Sequence, residues 1–334
     1  MILTIWRTSK LLNHFKSLKN IIVESNELGL VNKPKNVSGF SGNKLIGALQ
    51  RIAKYHEDNN DKGCYLEIGV FRGLTLLSVA NGLSKHHSYG IDNFSQFDPD
   101  NKNKNLIRDL IQENQINNIH LINDDYERAL DHLREYIGDK EISTFFIDGP
   151  HDYRSQLMCL ELAKKYYSKR VVIIVDDSNY SHVRKANRDF LKINPQFKLF
   201  FEAYTKCHPE NLNDVEKEIA RKGWWNGVNI IINDPENLLE PRFPPPSNDR
   251  LFYDNDHIVH SEKLGIIAPE AVSFFNYVRK FNIYKSFAKF IQTLLKAKHM
   301  KSELIGEYDI VNTYSKGLPK FALNPTVLEK TNKA

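Results

Sequence analysis

Cysteine is scarce: three residues in 334, Cys64, Cys159 and Cys207, lie far apart and form no CxxC pair. That spacing argues against a disulfide framework and a structural zinc knuckle, and it fits a reducing, cytoplasmic compartment. No run of about eighteen apolar residues occurs, so no membrane-spanning helix is expected. Internal repeats and low-complexity tracts are also missing. An excess of one charge is nearly so: 46 Lys and Arg against 41 Asp and Glu leave +5. That is too little for the dense positive stripe of a nucleic-acid binder, and no specific nucleic-acid partner is expected. What the chain does have is 41% hydrophobic residues, enough for a real core and against wholesale disorder.

The first twenty residues lack the continuous apolar stretch and the small-residue cleavage site of a signal peptide. Leu3, Trp6, Leu11, Leu12 and Phe15 among bases predict an amphipathic helix, docked on the body or touching a membrane surface. From residue 64 short apolar runs alternate with amphipathic ones, the pattern of βα units on a parallel sheet. Strands are predicted at 64–68, 88–92, 118–122, 143–148, 170–176, 197–204 and 227–233. Helices are predicted at 44–57, 73–84, 105–115, 126–137, 153–167 and 181–193, with no obvious helix between the last two strands. The expected fold is α/β: a Rossmann-like, mostly parallel seven-stranded sheet flanked by helices, with helical extensions at both ends. The expected division is an N-terminal extension (1–37), a central domain (38–236), and a linker with a helical C-terminal extension (237–334).

The segment Glu67-Ile68-Gly69-Val70-Phe71-Arg72-Gly73 carries the most information. A buried strand enters a turn with two glycines and leaves it as a helix. Gly69 lets a ligand approach the backbone, and Gly73 allows a tight turn into the helix. Plain strand–helix packing is the alternative. No Gly-Lys-Ser/Thr follows, so this is no P-loop, and Phe71 stands where a dinucleotide fingerprint has its second glycine. Asp92 ends the second strand, where an acid accepts hydrogen bonds from ribose hydroxyls. Asp124 and Asp125 close the third strand. Any one such acid is commonly a helix cap, but acids after three successive strands are harder to explain that way.

The fourth and fifth predicted strands end in Ile147-Asp148-Gly149-Pro150-His151-Asp152-Tyr153 and Val175-Asp176-Asp177. In an open parallel sheet these two loops face one another across the ligand crevice. Asp148, Asp176 and Asp177 offer three oxygen ligands, which suit a divalent cation such as Mg²⁺ or Mn²⁺. Alternatively, Asp176 caps the next helix and Asp177 is merely solvated. His151, beside a carboxylate and with an ordinary pKa of about 6.5, is a candidate general base, mostly neutral at pH 7. The long polar loop 93–104 is a candidate lid, and Trp224-Trp225 a candidate stacking platform.

Glu67-x-Gly69-x-x-x-Gly73, then Asp92, then Asp125, resembles the cofactor half of class I S-adenosylmethionine-dependent methyltransferases. The resemblance covers about 60–235. It implies that Gly69 and Gly73 lie against the methionine part, Glu67 reaches its ammonium, Asp92 holds the ribose, and Asp125, or Asp124, binds the adenine. The IDGPHDY segment followed by the paired acids is similar to a bacterial sugar and macrolide O-methyltransferase subset, whose motif commonly reads IDG-D-H-x-Y. Pro150 replaces its usual carboxylate and puts the metal in doubt; Asp148, Asp176 and Asp177 stay where that family has metal ligands. The resemblance implies a small-molecule or glycan acceptor with a hydroxyl nucleophile. The rival readings are an NAD-dependent oxidoreductase, a non-catalytic interaction protein on a decayed methyltransferase domain, and the changed chemistry of cephalosporin-hydroxylase-like proteins.

Between Glu270 and Lys301 seven bases face one acid, and apolar residues recur mostly at helical spacing. A basic amphipathic helix, or two shorter ones, is expected there. Its occupant is either its own domain or a sister subunit, giving a homo-oligomer, or else a peripheral membrane contact or a phosphate-bearing acceptor.

Overall fold

The computed structural model describes residues 2–59, 62–98, 100–246, 268–303 and 315–327. The chain divides into two compact units, Met1–Pro246 with Thr313–Ala334, and Ser247–Asn312. In the first, two helices, α1 (Ile2–Leu28) and α2 (Asn43–Asn59), precede the sheet. Then follow β1 (Gly63–Ile68), α3 (Leu74–Ala80), β2 (Ser88–Ile91), α4 (Asn103–Glu113) and β3 (Ile119–Ile122). Next come α5 (Tyr126–Asp131), α6 (Leu133–Ile137), β4 (Glu141–Ile147), α7 (Tyr153–Ala163), β5 (Tyr167–Val175) and α8 (Ser181–Ile193). The unit ends with β6 (Phe197–Ala203), α9 (Asp214–Lys222), β7 (Val228–Asn233) and β8 (Ala322–Leu323). The other unit holds α10 (Ala268–Arg279) and α11 (Ile283–Glu303).

The sheet order is β3-β2-β1-β4-β5-β7-β6-β8. The first five strands are parallel, and β7 runs antiparallel to both β5 and β6. β1 is buried at every position and β5 over its last five, as expected of strands covered on both faces. The strand order reverses between β1 and β4, which opens a crevice beyond their carboxyl ends.

The sheet has eight strands rather than the expected seven. The extra one is two residues long and pairs Leu323 and Ala322 with Phe201 and Glu202, too short to leave an alternating pattern. α9 also escapes the hydrophobic pattern: Val215 and Ile219 are exposed and only Ala220 is buried, so it has no apolar stripe. Its start is set by Asn213, whose side chain accepts from the Glu216 amide. The helix expected over 126–137 is interrupted at His132, and β5 starts at Tyr167, earlier than residue 170.

α1 docks on the body. Leu11, Phe15, Leu18 and Ile22 are buried at helical spacing and join the main core, with Phe15 6.2 Å from Phe200. Burying Phe15, Leu18 and Ile22 is worth about 1.5–3 kcal/mol each. Two histidines lie in this seam: His14 Nδ1 is 2.9 Å from the Tyr55 hydroxyl, and His56 Nδ1 is 2.8 Å from Thr144 Oγ1. Burial lowers both, His56 to about 3.

Candidate active site

The turn after β1 is built around backbone that only glycine tolerates well. Gly69 has φ 87°, and a Cβ there would lie 1.8 Å from the Asp148 carbonyl oxygen. The glycine turn and the loop after β4 are therefore in direct contact. Phe71 also takes a positive φ, 51°. The turn is held by Asp92, whose Oδ2 accepts from the Val70 and Phe71 amides, both at 2.8 Å. Its Oδ1 accepts from the Phe94 amide at 2.7 Å. Three of about four acceptor positions of a carboxylate are thus used, and one remains.

Glu67 is fully buried on β1. Its oxygens accept from the Tyr65 hydroxyl at 2.5 Å and from Thr75 Oγ1 at 2.7 Å. Burial pushes its carboxyl up to about 8, against those two hydrogen bonds, with Asp148 and Asp92 adding to the rise. Asp125 and Asp124 have local work. Asp125 caps α5 by accepting from the Glu127 amide at 2.9 Å, and Asp124 pairs with Arg128 one turn on. No shared cluster joins them to Asp92 among the described residues.

At the far side, His151 Nε2 lies 2.6 Å from Asp177 Oδ2 and 3.7 Å from Asp148 Oδ1. One donor atom from each of Asp148, His151 and Asp177 lies within 4.8 Å of the others. The imidazole stacks on Tyr180 at 5.1 Å. Asp177 adopts φ 53°, and its Oδ1 accepts from the Asn226 side-chain amide. A non-glycine residue in that region carries backbone strain, which recurs at functional sites. The group of Asp148, His151 and Asp177 differs from the expected Asp148, Asp176 and Asp177: it holds His151 and not Asp176. Asp176 Oδ1 accepts from the Asp177 amide, while its buried Oδ2 has no hydrogen-bond partner among the described residues.

The electrostatics follow from this crowding. Burial opposes a charge on His151, but Asp177 and Asp148 outweigh it and hold the imidazole well above its usual range. The two carboxylates thus favour the charged imidazole over the neutral one expected from its ordinary pKa. Asp177 stays below the usual carboxylate range because His151 overcomes the burial penalty. Burial raises Asp148 to about 7, with His151 opposing and Asp177 reinforcing the rise. Burial, then Asp148 and Asp177, raises Asp176 strongly.

Residues 66–178 match the family model described as "Methyltransferase domain". This segment is similar to a methyltransferase domain. It contains the glycine turn and every acid of the candidate site. A search of curated proteins finds no match. Among solved structures, the O-methyltransferase from Bacillus cereus in complex with SAH aligns at 14% identity and TM-score 0.41, covering 66% of this chain and 90% of that one. Cofactor-bound Rv0187 from MTB aligns at 14% and 0.42, with the same coverage. The O-methyltransferase TomG from Streptomyces achromogenes, involved in tomaymycin synthesis and in complex with SAM, aligns at 12% and 0.40, covering 55% and 78%.

In the matched segment and those around it, a row of rings runs from the glycine turn toward His151. Phe71 stacks on Phe40 at 5.1 Å, Phe40 lies 6.1 Å from Trp225, and Phe97 meets Phe71 edge-on at 6.2 Å. Trp225 reaches His208, and His208 reaches Tyr180. Both tryptophans are buried, and Trp224 packs on Phe201. The exposed rings are Phe40 and Phe97, at 40% and 44%. Phe40 escaped the sequence reading because it lies in a polar stretch before α2. Its placement comes from Gly42, which packs against the Gly223 carbonyl with no room for a Cβ.

Proposed function

We propose that the chain is an S-adenosylmethionine-dependent O-methyltransferase acting on a hydroxyl of a small molecule or sugar, free or within a glycan. One observation carries the reading: the glycine turn touches the backbone of Asp148, so a donor lying along that turn has its methyl group beside the acid cluster. The family match over 66–178 supports it. Phe71, in place of a second glycine, disfavours a nicotinamide dinucleotide.

The residues fit the cofactor. Gly69 leaves the backbone bare, Asp92 keeps an acceptor position for a ribose hydroxyl, and Glu67 is a buried carboxyl suited to an ammonium partner. When bound, S-adenosylmethionine supplies an electrophilic methyl on a sulfonium. The chain must then orient the acceptor oxygen in line with that methyl and accept its proton. Asp148, with its carboxyl near 7, takes the proton, and the His151–Asp177 pair fixes the acceptor's position by charge and hydrogen bonding. The base role expected of His151 thus passes to its neighbour. Phe40 and Phe97 offer faces for a sugar or aromatic ring of the acceptor.

A divalent cation also fits the donor set of Asp148, His151 and Asp177, whose mixed nitrogen and oxygen ligands favour Mn²⁺ over Mg²⁺. Bound there, it would acidify an acceptor hydroxyl. Turnover with hydroxylated acceptors, followed as SAH formation with and without excess EDTA, tests both parts. SAH formation abolished by EDTA, with cofactor binding kept, assigns the cluster to a metal. Undiminished turnover leaves it as acid–base machinery, and no methyl transfer to any hydroxyl acceptor overturns the proposal.

A further inference from the structure

Residues 268–303 form a helical hairpin that leaves most of its apolar surface in solvent. The Asn282 amide donates to the Tyr277 carbonyl at 3.0 Å, and Asn282 Oδ1 accepts from the Lys285 amide at 3.1 Å, which closes the turn between α10 and α11. Phe274 meets Phe290 across the pair at 5.8 Å. Yet between residues 270 and 295 only Ser286 is buried. The most exposed large side chains sit at the turn itself: Phe281 at 91%, Tyr284 at 85% and Ile283 at 83%. Contiguous exposed apolar surface of this kind marks an interaction site.

The charge around it is one-sided. From Ala268 to Glu303 the chain carries seven Lys and Arg against two acids, Glu270 and Glu303. Arg279, Lys280 and Lys285 flank the apolar turn, and Lys285 lies over the Tyr277 ring at 5.6 Å. A second copy of the chain would bring base against base at this surface, at a cost in repulsion. An anionic surface with an apolar interior complements both features. No helix among the described residues is long and apolar enough to cross a bilayer.

We propose that this hairpin docks on an anionic lipid surface. The Phe281–Tyr284 turn enters the boundary between headgroups and acyl chains, where aromatic side chains are favoured, and the flanking bases meet lipid phosphates. This places the methyltransferase-like unit at a membrane with no spanning helix among the described residues, and it does not depend on the identity of the acceptor.

The test is cosedimentation of the full-length chain with vesicles of phosphatidylglycerol and phosphatidylcholine, and with phosphatidylcholine alone. Pelleting with the anionic vesicles is expected, falling several-fold from low to physiological salt, with little on neutral lipid. Phe281→Asp with Ile283→Asp should abolish it. Lys280→Glu with Lys285→Glu should lower the partition at least about tenfold, since each base near such a surface contributes about fivefold. Circular dichroism melting confirms that these exposed substitutions leave the chain folded. Three results overturn the proposal: no pelleting at low salt, equal pelleting on neutral vesicles, or unchanged pelleting by the folded turn variant. A dimer that the turn variant dissociates, in a chain that ignores vesicles, assigns the surface to a second copy instead.

Discussion

The acids at the two ends of the crevice meet opposite fates. After β3, half-buried Asp124 has an arginine one turn away and exposed Asp125 has helix amides to cap. After β4 and β5, Asp148 and Asp177 are crowded around a single imidazole, and Asp177 sits in strained backbone. The same residue type at the same kind of position is satisfied locally at one end and left dependent on its neighbours at the other. An acid with unmet needs is the one available to a ligand or a proton. The position of an acid in the sequence does not distinguish these cases; what lies within hydrogen-bond reach does.

The largest expected effect sharpens that contrast. Asp177→Asn removes the counter-ion of His151, and turnover should fall by about 10²–10⁴-fold while SAH affinity holds. Asp125→Asn should leave turnover within about twofold. Steady-state kinetics on the two variants checks this, and the reverse order would break the comparison.

Gly69→Ala comes next. Its Cβ would collide with the Asp148 carbonyl, and its φ of 87° suits no side chain, so the loops must move apart. A loss of at least about 2 kcal/mol is expected by denaturant unfolding. A neutral result would mean that the glycine turn and the acid loop are not locked together.

Two kinds of histidine sharpen the comparison further. His151 is held charged by carboxylates, whereas His14 and His56 are buried neutral. Their folded pKa values lie below the unfolded value of about 6.5, so the unfolded chain binds more protons as the pH drops. Each of the two should therefore lower stability below pH 6.5 by about 1.4 kcal/mol per pH unit, until about pH 3 for His56. Glu67, Asp148 and Asp176 contribute in the opposite direction, because their folded carboxyls bind protons before the unfolded ones do. Unfolding midpoints between pH 7 and 5, with His56→Gln as the control, measure it. A pH profile unchanged in His56→Gln would contradict the neutral burial of His56.

The smallest effect concerns the cap. Asp125→Ala should cost about 1 kcal/mol through loss of the α5 N-cap. If it instead weakens SAH binding more than Asp92→Ala does, the third-strand acid is a cofactor ligand and the contrast between the two ends fails.

Much of this was legible in the sequence. β1, β4 and β5 show as apolar runs, because burial on both faces demands them. The Gly69–Gly73 turn was legible because its backbone excludes side chains. The presence of His151 rather than Asp176 beside Asp148 and Asp177 was not, because it depends on how the loops after β4 and β5 pack together. Nor was β8, whose two residues are ordered by Phe201 and Glu202 rather than by their own pattern. Phe40 reached the site through close backbone packing at Gly42, far from any motif. Local propensity names elements and turns; tertiary contacts decide which side chains converge.

Calorimetric titration of SAH into the full-length chain tests the central claim most directly. The account predicts saturable binding at one site per chain, weakened by about 1–3 kcal/mol in Asp92→Ala as charge-assisted hydrogen bonds are lost. Absence of binding by the folded wild-type chain, or affinity unchanged in Asp92→Ala, would contradict it.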